Sequence, residues 1–268
     1  MVKKLFKHEF HALFRIMLPV YAILLVLSVA QKVIQCFEGS SKTYNIIFVF
    51  SIITFVASII VAIVLSLILC IVRYYKNLFT GEGYLTLTLP ATATEHLVVK
   101  SVTAVITQIA TILVAAISAI IAVDFDVIKE VWKAIVYSVK EIPDNYRPHI
   151  FGLLFEILLV IIAWLFMYTL EFYFCMTVGQ MANKNRIFAA VGVFFGLYVA
   201  TQIIETIFVV IIAANGDAMS KLITKLFTGH ELLGIYLAFA ILLVIGVGLS
   251  LAYFFLSRTI LKNKLNIE

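Results

Sequence analysis

Long apolar stretches alternate along the chain with short polar ones, and the apolar stretches have the length of membrane-spanning helices rather than of strands. Three runs, Tyr44 to Val72, Ser101 to Val123 and Leu232 to Ser257, contain no Asp, Glu, Lys or Arg. Three more are as long but carry isolated charges: Arg15 to Phe37 with Lys32, Ile150 to Val178 with Glu156 and Glu171, and Ile187 to Ala214 with Glu205. A helix needs roughly 20 apolar residues to cross a bilayer core. The pattern therefore predicts an all-α polytopic membrane protein, one domain over 1–268, with spans at 15–37, 44–72, 101–123, 150–178, 187–214 and 232–257. A membrane β-barrel would show alternating segments of about ten residues, which continuous runs such as IIFVFSIITFVASIIVAIVLSLILCIV do not.

Two amphipathic stretches flank these spans. Lys3 to Phe14 mixes Lys4, Lys7, His8 and His11 with Leu5, Phe6, Phe10, Leu13 and Phe14, a pattern suited to a helix lying in the membrane interface. Pro19 allows a bend into the first span. The reading is an interfacial elbow over 1–14, with a plain extension of span one as the alternative. Asp124 to Pro143 places Val127, Val131, Trp132, Ile135 and Val139 on one helical face, with Lys129, Glu130, Lys133, Lys140 and Glu141 away from it. Gly192, Gly196 and Ala200 in span five, and Gly246 and Ser250 in span six, recur every four residues as close-packing positions do in lipid.

Composition reinforces the pattern. Hydrophobic residues make up 63% of the chain and charged ones 13%, with mean hydropathy +1.11, whereas soluble domains are about half apolar and a quarter charged. Cys36, Cys70 and Cys175 are odd in number and fall in or beside apolar runs, so they imply no disulfide framework. With six spans and a cytoplasmic N-terminus, twelve of the 20 Lys and Arg fall on the inner side. That bias favours both termini in the cytoplasm.

Catalytic and nucleotide-binding patterns are missing. The chain has no G-x-x-x-x-G-K-[ST], and Gly81-Glu82-Gly83 is too short for a dinucleotide fingerprint. HEFH, from His8 to His11, lacks the spacing of a zinc helix, and His96, His149 and His230 are scattered. The chain reads as neither an enzyme nor a metal or nucleic-acid binder. The residues that call for an account are the acids inside spans, because a carboxylate in hydrocarbon is costly and points to function. Glu156 lies near the end of span four, where it reaches water. Glu171 is placed a turn or two from the other surface. Glu205 lies deepest, with Gln202 on the same face one turn earlier, and Gln108 in span three is placed to line the same interior. Glu205 fits either a structural hydrogen-bond partner or the lining of a pathway.

Arg73 to Lys100, RYYKNLFTGEGYLTLTLPATATEHLVVK, is a polar insert between two charge-free spans. Span two, at 29 residues, would be about 43 Å long, so it tilts or projects. Thr80 to Gly83 breaks the helix, Tyr84 to Leu89 offers a short amphipathic turn, Pro90 stops it, and Thr92 or Thr94 can cap the next helix. By itself this is either a solvated loop or a docking helix.

The run EGYLTLTLPATATEHLVVK resembles the segment of ABC-2 type transporter permeases in which an acid, a Gly, a Leu-rich turn and a Pro precede a Lys at the start of the third span. FYFCMTVGQMANKNRIF and SRTILKNKLNIE resemble stretches of bacterial permeases of that kind. The resemblance implies that 73–100 includes a cytoplasmic coupling helix docking on a separate ATPase subunit, with Glu82, Gly83 and Pro90 at matching positions. Tyr84 stands where a Thr is usual. It also implies short re-entrant helices over Gly216 to His230, a homodimer or heterodimer of permeases in a bacterial cell membrane, and ATP and Mg on the partner rather than on this chain. Rival readings are an ion-coupled secondary transporter with Glu171 and Glu205 as proton carriers, and a non-transporting subunit of a sensor or resistance complex.

Overall fold

A computed structural model describes residues 2–37, 42–80, 92–141, 146–182, 184–216 and 231–263, together with 143 and 221. Among the described residues there are seven α-helices and no strand: α1 Val2–Cys36, α2 Lys42–Phe79, α3 Ala93–Ala122, α4 Phe125–Glu141, α5 Ile150–Gly179, α6 Arg186–Ala214 and α7 Glu231–Asn263. All but α4 are long and apolar enough to cross a membrane. At 1.5 Å per residue they measure about 43 to 57 Å, beyond the roughly 30 Å of a bilayer core. The six spans read from the apolar runs therefore correspond to the six long helices; α1 and α3 start well before their runs, α2 and α7 continue past theirs, and α5 and α6 keep almost to theirs.

The chain divides into two compact units, Met1–Tyr74 with Leu89–Arg147 and Tyr75–Thr88 with Pro148–Glu268. In the first unit α1 packs along α3. The buried stripe of α1, Glu9, Leu13, Met17, Tyr21, Leu24, Ser28 and Gln31, advances by three or four residues as one helix face must. Glu9 meets Lys100, Tyr21 meets Thr111, and Gln35 meets the Ala122 carbonyl. Residue numbers rise together on both helices, so α1 and α3 run parallel. The middle helix α2 runs against them, with Tyr44 bonded to the Ile34 carbonyl and Arg73 to Glu9.

The helix α1 is continuous where an elbow separate from the first span was expected. Residues 2–14 are its first turns, and Pro19 is accommodated inside it. Running straight on keeps Glu9 on the same face as Leu13 and Met17, which carries its carboxylate to Lys100. α4 buries no residue, and Trp132 and Val131 stand exposed, so its apolar face has no protein cover among the described residues.

In the second unit α5 packs along α7 and more lightly on α6. Tyr236 bonds the His149 carbonyl and Ser250 the Ala163 carbonyl, so α5 and α7 are also parallel. Gly179 against Ala190 and Phe172 against Phe194 make α6 antiparallel to α5. The small residues of α7 serve this packing: a Cβ on Gly246 would come within 3.2 Å of the Trp164 ring. Those of α6 do not, since nothing lies within 4 Å of a Cβ at Gly192 or Gly196.

Candidate functional site

Each unit holds one polar centre. In the first unit it is Glu9, at the end of α1 that precedes the apolar run. Lys100 Nζ donates to its Oε1 at 2.7 Å, and Arg73 donates to its Oε2 from Nη2 at 3.1 Å and from Nε at 3.3 Å. Both carboxylate oxygens are thus occupied by cations from different helices. The Glu9 and Lys100 side chains are 9% and 3% exposed. Burial pushes the Glu9 carboxyl up, but Lys100 and Arg73 more than offset it and hold it below the ordinary carboxylate value.

Arg73 and Lys100 are the two ends of the polar insert, so Glu9 ties both ends to α1. The α3 end is further ordered by a capping box: the Thr92 hydroxyl accepts from the Glu95 N–H, and the Glu95 carboxylate accepts from the Thr92 N–H at 2.8 Å. This satisfies the orphan donors of the first turn. Glu82, Gly83, Tyr84 and Pro90 lie outside the described residues, as does Gly216 to His230 apart from Gly216 and Lys221.

Along α3 the polar side chains face the α1 side of the helix without cost. Ser101, Thr103, Thr107 and Thr111 each donate to the carbonyl four residues earlier, which removes free hydroxyls from an apolar setting. Gln108 is buried in this unit. It therefore belongs to the first unit's interior rather than to that of Glu171, Gln202 and Glu205.

The second centre is a cavity of about 620 Å³ walled by α5, α6 and α7. It brings together Glu171, Gln202 and Glu205, which are 31 or more positions apart in sequence between α5 and α6. Gln202 Nε2 donates to Glu205 Oε2 at 3.0 Å. Glu171 is 9% exposed and has no hydrogen-bond or ion partner among the described residues. Half of the rest of the wall is aromatic: Trp164, Tyr168, Phe172, Phe194, Tyr198 and Tyr253. The Trp164 Nε1 donor is itself buried without a partner among the described residues. A second space of about 500 Å³ between α5 and α7 is lined almost wholly by aliphatic and Phe side chains. Glu156, read as an acid reaching water, has its Oε2 buried without a partner among the described residues.

Sequence reasoning did not find the Glu9 centre. Its available signal was spacing: Glu9 stands four residues before Leu13, in line with the face that continues to Met17 and Tyr21. The aromatic wall was also missed, because Tyr168 and Tyr253 meet only through packing.

Fold and composition define the chain as a multi-pass α-helical membrane protein. It matches no family model, no curated protein and no solved structure.

Proposed function

We propose that this chain is the permease subunit of an ATP-driven ABC-2 type transporter of a bacterial cell membrane, exporting a peptide, lipid or drug-like substrate. Both termini are cytoplasmic, and a separate ATPase subunit binds ATP and Mg. Two permease subunits, identical or related, enclose the path. The observation that carries this reading is the anchoring of the polar insert. Its sequence resembles the coupling segment of such permeases, and its two ends, Arg73 and Lys100, share the carboxylate of Glu9. A push on the segment between α2 and α3 would reach α1, α2 and α3 as one block instead of dissipating in a loose loop. An ATPase drives a cycle only through a difference in affinity for two permease conformations, and a stiffly anchored contact can express that difference. The test is co-purification with the P-loop ATPase that this reading requires: Glu82→Lys is expected to abolish association or uncouple hydrolysis from transport. Normal coupling in that variant would overturn the reading.

One observation favours a second reading, an ion-coupled secondary transporter. Each unit has three long helices with a parallel first and third and an antiparallel second, and internal structural repeats are a known feature of secondary transporters; Glu171 and Glu205 would then be proton carriers. Transport in vesicles that persists without ATP and collapses with a proton ionophore would select this reading.

A further inference from the structure

The cavity of the second unit has a composition that narrows what it can hold. Its lining includes two carboxylates, Glu171 and Glu205, and no Lys, Arg or His among the described residues. Glu171 is buried, faces the cavity and has no hydrogen-bond or ion partner among the described residues. An unpaired carboxylate at membrane depth has to be neutralised, by a proton or by a cation that enters. A proton needs no room. This space, about 620 Å³, falls within the range of pockets that enclose whole organic ligands. Six of the twelve lining residues other than Glu171, Gln202 and Glu205 are aromatic, and Trp and Tyr rings attract organic cations through their quadrupoles. Charge, size and aromatic lining agree.

We propose that this cavity binds amphiphilic organic cations, with Glu171 as the counter-charge and Trp164, Tyr168, Tyr198 and Tyr253 as the aromatic wall. Glu205, held by Gln202, supplies a second negative centre toward the side of the cavity formed by α6. As a statement of what is exported, the proposal rests on the permease reading; as a binding site it stands on the cavity alone.

The test uses the purified full-length chain in lipid nanodiscs without any ATPase, and labelled tetraphenylphosphonium as the probe. Saturable binding, displaced by unlabelled cation, is expected; labelled tetraphenylborate, which has the same shape and the opposite charge and is assayed in separate samples because the two ions pair, is expected to show no saturable binding. Glu171→Gln is expected to weaken binding of the cation about tenfold or more, as loss of a charged partner does. Tyr168→Leu is expected to weaken it about threefold, the scale of one cation–π contact. Saturable borate binding as tight as that of the cation would overturn the proposal, as would undiminished cation binding to a monodisperse Glu171→Gln variant. If that variant does not fold, the separate cation and borate isotherms on the unaltered chain decide. Cation binding together with a failure of ATPase coupling would retain the site and remove the permease reading; coupling with no cation binding would do the reverse.

Discussion

The two units share an order, a parallel first and third helix with a middle helix running against them, yet they join their helices by different chemistry. The first is fastened by polar pairs at both ends and in the middle: Glu9 with Lys100 and Arg73, Tyr21 with Thr111, Lys32 with Asp124. The second is joined by small residues and rings, Gly246 under Trp164 and Phe172 on Phe194, and leaves Glu171 and the Trp164 N–H without a partner among the described residues. In lipid, close packing and hydrogen bonds both hold helices together. The difference lies in what remains open: although the buried amide of Gln31 has no partner among the described residues, Glu9, Lys100, Arg73, Tyr21 and Thr111, which join the helices of the first unit, are spent on one another. Those of the second are available to something else.

The largest expected effect tests that division directly. Lys100→Ala removes one of the two cations on a buried carboxylate and is expected to destabilise the protein by about 3–5 kcal/mol, read by thermal or denaturant unfolding in mild detergent. Glu171→Gln, which breaks no pair, is expected to change stability by less than about 1 kcal/mol. Equal losses in the two variants would erase the contrast between the units. The same carboxylate sets an acid limb. Because the Glu9 value is lowered on folding, its contribution is present above the ordinary carboxylate value and is lost as pH falls through the folded one. Glu9→Gln should flatten stability against pH in that acid window.

Next in size is the close approach of α5 and α6. A Cβ on Gly179 would lie 2.6 to 2.7 Å from Ala190 atoms, backbone included, so Gly179→Ala is expected to cost about 1–3 kcal/mol as overpacking does. Gly196→Ala meets nothing within 4 Å and, as a helical Gly to Ala change, is expected to be neutral or stabilising by up to about 1 kcal/mol. A cost at Gly196 as large as at Gly179 would mean that a partner helix covers the small-residue stripe of α6. The smallest effect is at Tyr21→Phe, which loses the 2.7 Å bond to Thr111 and is expected to cost about 1 kcal/mol. No change there would leave the ion cluster as the fastening of α1 to α3.

The helices themselves were legible because in lipid the length of an apolar run is almost the whole signal. Thr92 as a cap was legible for a similar reason: its capping box is local, with the acid three residues on at Glu95. The Glu9 centre was not, since its partners are 64 and 91 positions away and a polar residue among Lys, His and Phe reads as the wet face of an interfacial helix. That same pattern suggested the elbow, where the structure has one continuous α1. In the second unit the acids were found by their cost in hydrocarbon. Their grouping was only half visible: Gln202 and Glu205 share a helix face, whereas Gln108 belongs to the other unit and Glu171 joins them only through the packing of α5 on α6.

The span of sequence between Glu9 and Lys100 also has a consequence for biosynthesis. A ribosome delivers the acid first and its closest cation 91 residues later, after two whole helices have been threaded into the bilayer. Until α3 emerges, the nascent chain holds a carboxylate whose deepest partner does not yet exist, and Arg73 alone must shelter it. The start of α3 is therefore the point at which the first unit becomes a finished piece, and chains truncated before Lys100 should be the ones that quality-control proteases remove.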